Sequence, residues 1–271
     1  MVCLRREGEN IDALSLAIMV MIGLVAGVLV GLIGASGVMI VVSLLTLFVN
    51  FPVHKSIGTS LMANAIVSAT VSFMYFRHNN LDPKTAVFLA MGSIIGAQVG
   101  ALSSAKLPEV GLGSLFGIIL IFMGIVMWRR GISREDIIRG FKKILGSRKI
   151  SKYISLPMGF IIGIIAGMVG ATGGIWFLVI SYLVIGLPLR KAIGTSALAM
   201  VFTAISGATG HAIHGNISVI GGILVGLGAS ISGSFSARFA NVSSERILVK
   251  AISIIFIALG IAMILTRILT P

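Results

Sequence analysis

The chain has 271 residues, of which 57% are hydrophobic and only 11% charged, where soluble domains run at roughly 45–50% apolar and about 25% charged. Disorder, collagen and coiled coil are excluded by that balance, and a disulfide scaffold or cysteine-rich metal cluster by the single Cys3. The 34 glycines lie inside apolar runs rather than in linkers, as where helices pack closely in lipid, so the composition is that of an all-α polytopic membrane protein.

A spanning helix needs about 20 apolar residues. The chain opens on an apolar stretch, 13–49, that is too long for one helix and short for two, and it is interrupted at Gly34-Ala35-Ser36-Gly37. Ordinary spans are predicted over 57–76, 85–105 and 111–128. A basic linker follows, with nine Lys and Arg between Arg129 and Lys152 beside only Glu135 and Asp136. In a soluble protein the net charge of +13 would suggest nucleic acid; placed between apolar halves, this stretch reads as a cytoplasmic loop and no nucleic-acid partner is expected. Ile137, Ile138, Phe141, Ile144 and Leu145 follow helical spacing in it, which suits either a helix on the membrane surface or a solvated loop. A second long stretch, 155–187, is interrupted at Gly170-Ala171-Thr172-Gly173-Gly174, and spans follow at 193–213, 217–237 and 247–266. The domains are therefore a first repeat over 13–128, the linker over 129–154 and a second repeat over 155–267.

The halves match at a gap-free shift of 136 residues. Gly23, Gly27, Gly31 and Gly34 fall on Gly159, Gly163, Gly167 and Gly170, and Pro52, Lys55 and Ile57-Gly58-Thr59-Ser60 fall on Pro188, Lys191 and Ile193-Gly194-Thr195-Ser196. Shared apolar letters mean little in a membrane protein, but the Pro-x-x-Lys-x-Ile-Gly-Thr-Ser string twice in register indicates two homologous halves. The expected architecture has about eight spans, or ten segments if each opening stretch is a broken hairpin. If that stretch crosses once, the repeats are parallel and the basic residues divide 14 against 7. If it enters and returns, the repeats are inverted and they divide 16 against 5, which the positive-inside rule favours.

All eight carboxylates lie outside the predicted spans or at their ends. A carboxylate at membrane depth marks many cation and proton carriers, so a cation substrate held that way is not expected. The spans instead hold glycines, hydroxyls and amides, which are donors suited to an oxyanion. The candidate substrate-binding residues are Gly34, Ser36, Gly37, Thr59, Ser60, Asn64, Gly170, Thr172, Gly173, Gly174, Thr195 and Ser196, with Lys55 and Lys191 at the pathway mouths. Glycines at the breaks and a capped Pro-to-Ser helix start also have a purely structural reading. The ridges Gly23/Gly27/Gly31 and Gly159/Gly163/Gly167 read as close helix crossings. His211 and His214 stand one turn apart on one helix face, where such a pair can bind a metal or relay a proton; without further ligands they read as a polar span end rather than a metal site, and Trp176 reads as a packed or site-lining ring. No hydrolase, dinucleotide or nucleotide-triphosphate motif is present, so no enzyme activity and no cofactor are expected.

The glycine-rich openings Gly31–Gly37 and Gly167–Gly174, each followed by Pro-x-x-Lys-x-Ile-Gly-Thr-Ser around a basic central loop, resemble the TauE/SafE family. That sulfite-exporter-like group is classed with the 4-toluene sulfonate uptake permeases. The resemblance runs from Leu14 to Leu265 and implies a cell-membrane carrier of sulfite, sulfonates or related sulfur-containing anions. Val38 stands where the second half has Gly174, so the two breaks are not equivalent. The expected function is secondary transport of a small oxyanion by alternating access. The alternative is an anion channel or a carrier of another small metabolite. The expected partners are the lipid bilayer and the anion, and the sequence leaves a homo-oligomer open.

Overall fold

The computed structural model describes residues 13–33, 37–104, 155–169 and 173–244, with single helical positions between 121 and 128 and between 247 and 265. All the regular elements among the described residues are helical. In chain order they are α1 (Ala13–Ile33), α2 (Val38–Phe48), α3 (Val53–Arg77), α4 (Pro83–Ser104), α5 (Ser155–Val169), α6 (Gly173–Val179), continued by a π-helical turn (Ile180–Val184), α7 (Leu189–Ile213) and α8 (Val219–Val242). Four helices, over Leu14–Leu32, His54–Arg77, Leu189–Ile213 and Val219–Val242, are long and apolar enough to cross a membrane. The linker 129–154 and most of the predicted spans 111–128 and 247–266 lie outside the described residues.

The opening stretch of the first half is one full helix and one half-length helix. At 1.5 Å per residue the 11 residues of α2 rise only about 16 Å. Met19, Ile22 and Ala26 of α1 pack on Val41 and Leu45 of α2 in one buried cluster, and a β-carbon at Gly37 would sit 3.1 Å from that of Ala26. The second opening stretch divides in the same way into α5 and the short α6 with its π turn.

Two predicted helix starts move. Helices α3 and α7 begin at residues 53 and 189, four residues before the predicted 57 and 193, because Pro52 and Pro188 are their N-caps. The apolar count stopped at Lys55 and Lys191, but a helix continues past hydrocarbon when long basic side chains reach the headgroups. Thr59-Ser60 and Thr195-Ser196 are therefore in the second turn, not the first, and do not cap. Helix α8 likewise runs on through Arg238 to Val242.

Glycine registers fix the helix directions. A β-carbon at Gly23 would land on the Val225 carbonyl oxygen, at Gly27 on that of Ala229, and at Gly31 on Gly233 and Ser236. Both series ascend, so α1 and α8 run parallel with their backbones in contact. Gly159, Gly163 and Gly167 of α5 meet the carbonyls of Leu89, Ser93 and Ala97 in the same way, so α4 and α5 are also parallel. Each partner residue of α8 lies 136 residues after its counterpart in α4. The ridges are close crossings, where glycine removes the side chain that would hold the backbones apart.

In the centre α3 packs against α7 in the opposite sense. Gly58 faces His211 and the Asn216 carbonyl, and Gly194 faces Tyr75 and the Asn80 carbonyl. Helix α3 runs with α8, through Thr70 Oγ1 donating to Ser230 Oγ at 3.1 Å and Asn80 Nδ2 donating to Asn241 Oδ1 at 2.7 Å. Helix α7 runs with α4, through Ser93 and Thr203 hydroxyls at 2.6 Å and Gln98 Nε2 donating to the Ser206 carbonyl at 2.8 Å. Thus α1, α3 and α8 point one way and α4, α5 and α7 the other.

Candidate functional site

The repeated string builds the same joint twice. The Thr59 hydroxyl oxygen accepts the Ser218 N–H at 2.9 Å, and that of Thr195 accepts the Asp82 N–H at 3.0 Å. In each case a buried threonine in the second turn of one helix holds the residue just before another. Ser60 and Ser196 turn back on their own helices, donating to the Ile57 and Ile193 carbonyls at 2.8 Å. These four hydroxyls, singled out in the sequence as candidate substrate contacts, all make helix–helix or within-helix bonds.

Asn64 differs. It stands near the midpoint of α3, about 17 Å from the helix start at 1.5 Å per residue. Its side chain is 3% exposed, and neither Nδ2 nor Oδ1 has a hydrogen-bond partner. One turn earlier, Leu61 packs with Ile57, Ala208 and Val38, the first residue of α2, so the amide lies one turn below the place where α2 begins. Gly37 is the N-cap of α2 and carries no capping side chain. Gly173 and Gly174 open α6, so the second helix restarts inside the predicted break. Gly34, Ser36, Gly170 and Thr172 lie outside the described residues. Trp176 packs against the cluster of Leu89, Ile162 and Phe177.

The charges are unevenly placed. Antiparallel α3 and α7 set Lys55 and Lys191 at opposite ends of the helix layer. Lys191 shares its end with Arg77, Lys84, Arg190 and Arg238, an end tied together by Asn80 to Asn241 and by Arg190 to the Ser243 carbonyl. Lys55 lies with its Nζ 4.9 Å from the centre of the Phe51 ring, at the end that holds His54, His211 and His214. Asp82 is the one carboxylate among the described residues, where it accepts from Thr85 Oγ1 at 2.8 Å at the start of α4. The described residues contain no cluster of three His, Cys, Asp or Glu able to hold a metal.

Sequence reasoning missed a further pair of joints. Asn50 and Asn79 have φ of 56°, and Gly186 and Gly215 have φ of 79° and 69°. Each asparagine stands 136 residues before one of the glycines. The positions escaped notice because the two residue types share a conformation and not a letter.

Long apolar helices packed backbone to backbone, with an unpartnered amide in mid-span, define a polytopic helical membrane protein. A family model described as "Sulfite exporter TauE/SafE" matches residues 19–263. The chain belongs to that family and is a membrane transporter of the sulfite-exporter type. It is similar to "Probable membrane transporter protein YunE" of Bacillus subtilis (strain 168), 25% identical over 267 residues, which are 93% of this chain and 98% of that protein. It is also similar to "Probable membrane transporter protein YdhB" of the same organism, 26% identical over 243 residues, which are 87% of this chain and 94% of that protein. No solved structure gives a significant match.

Proposed function

We propose that the protein is a secondary transporter of the cell membrane that moves a small sulfur-containing oxyanion, such as sulfite or a sulfonate, by alternating access between two inverted repeats. The observation that carries this reading is Asn64. A buried amide left without partners costs about 1–3 kcal/mol, and such a group at mid-span is accounted for by a ligand that supplies the missing bonds. Its NH2 is a neutral donor suited to an oxyanion oxygen, and the carboxylate-poor described interior does not repel an anion.

Helix directions support the inverted arrangement. α1 and α5, α3 and α7, and α4 and α8 are the pairs related by the 136-residue shift, and the members of each pair point in opposite senses. The basic end formed by Arg77, Lys84, Arg190, Lys191 and Arg238 is then cytoplasmic. The pathway lies between α3, α7 and the half-length helices, whose described starts are at Gly37 and at Gly173-Gly174, with Lys55 and Lys191 at opposite mouths.

The test is uptake of labelled sulfite, sulfate and ethanesulfonate into proteoliposomes, with wild type compared with Asn64→Leu and Asn64→Gln. Saturable uptake of at least one anion is expected. Asn64→Leu should lower kcat/KM by about 10-fold or more, equivalent to losing one hydrogen bond to a charged group, and Asn64→Gln should lose less. Uptake that is unchanged in folded Asn64→Leu protein would remove Asn64 from the site, and no uptake of any of the three anions would refute the substrate class.

A further inference from the structure

Positions 75 and 211 are related by the same shift and hold different chemistry. The Tyr75 hydroxyl donates to the Gly31 carbonyl at 3.1 Å, three residues before the first break. His211 holds the matching place on α7, its β-carbon facing Gly58 as that of Tyr75 faces Gly194. A tyrosine hydroxyl in that place is a fixed donor at physiological pH. An imidazole has two ring nitrogens and exchanges a proton in that range. His211 is 3% exposed, and its Nε2 is buried without a partner.

The surroundings of His211 contain no countercharge among the described residues. His54 and Lys55 face this end from α3, and His214 follows one turn later on α7 itself. Helices α5 and α6 carry no titratable side chain, the charged residues of α4 and α8 lie at the far end, and Asp82, the described carboxylate, is there with them. A second proton on this ring would therefore place a cation in a buried, already basic site. An anion bound within reach of this ring supplies the missing opposite charge, so proton and anion each favour binding of the other.

We propose that His211 is a proton-binding site coupled to the anion, so that the transporter carries a proton together with its substrate through the half that holds His211. This rests on the anion-transport reading above. The proton enters and leaves on Nε2 with no bond made or broken elsewhere, and the pair that crosses is less charged than the anion alone. Position 75 offers no such site, so the titration acts in one half only.

The experiment uses the full chain in proteoliposomes containing a trapped pH-sensitive dye, with sulfate and ethanesulfonate as probes because, as strong-acid anions, they bring no proton of their own. In wild type, an inward proton gradient should accelerate uptake, and adding the anion should acidify the lumen. In His211→Gln and His211→Tyr the acceleration should fall by at least about 10-fold, within the usual range of coupling between sites, while anion-for-anion exchange at equal pH persists. Tyrosine reproduces the arrangement of the other half, so His211→Tyr guards against a folding defect. Variants that are still gradient-driven, or a wild type that exchanges anions but ignores the gradient, would overturn the proton site and leave anion transport standing. A wild type that exchanges neither anion would overturn the proton site, and one that also fails to take up sulfite would overturn both.

Discussion

Thr59→Val and Thr195→Val form one experiment with its own internal control. Each removes a hydroxyl oxygen that accepts a backbone N–H, from Ser218 at 2.9 Å and from Asp82 at 3.0 Å, and replaces it with a methyl group of similar size. A buried N–H left unpaired costs about 1–3 kcal/mol, whereas side-chain bonds between membrane helices average about 0.6 kcal/mol. Ser218 and Asp82 are only part-buried at the helix ends, so water can recover some of the loss. The expected cost is about 1 kcal/mol for each substitution, of similar size in the two because the joints match. Reversible unfolding of the purified protein in mixed micelles measures it, and Thr59→Ser, which keeps the acceptor, should restore most of it. Transport by the folded valine variants should keep its KM. Unaltered stability combined with a raised KM would refute the structural assignment and return these hydroxyls to the substrate.

Gly27→Leu and Gly163→Leu should prevent assembly, since the new β-carbon meets the Ala229 or Ser93 carbonyl rather than a movable side chain. The overpacking cost is at the upper end of the usual range, about 3 kcal/mol or more, and size-exclusion profiles after detergent extraction would show it. At the left-handed positions, Asn79→Gly should be neutral or stabilising, while Gly215→Val should destabilise by about 1–2 kcal/mol although nothing lies within 4 Å of a β-carbon there; thermal denaturation compares them. For the buried hydroxyl pair Ser93 and Thr203 at 2.6 Å, the double variant Ser93→Ala/Thr203→Val should be less destabilised than the sum of the singles, because removing both partners leaves no orphaned polar atom.

The long helices among the described residues were legible because hydrocarbon thickness sets their length, and the glycine ridges because close packing leaves few other residues to choose. Helix ends were less legible, since His54, Lys55, Arg190 and Lys191 look like loop in an apolar count while the backbone stays helical beneath them. Asn64 could be named from its amide alone, but that its two polar atoms lack partners depends on α2 and α7 packing around it, which no local pattern encodes. Thr59 and Thr195 show the opposite case. They stand out in the sequence as a repeated pair, but the bonds they make, to residues 159 and 113 positions away along the chain, are visible only in the packed structure.

The parallel pairing of α1 with α8 has a consequence for how the chain is made. Gly27 and its partner Ala229 are separated by roughly 200 residues, and at about 5–20 residues per second of synthesis that is an interval of about 10–40 s. Throughout it α1 lacks the α8 surface that its glycine stripe packs on, and α4 must likewise wait for α5. Since neither half contains the surface that closes its own seam, the nascent chain depends on the insertion machinery or the lipid to shelter these stripes, and quality control has a natural checkpoint in whether α8 has arrived.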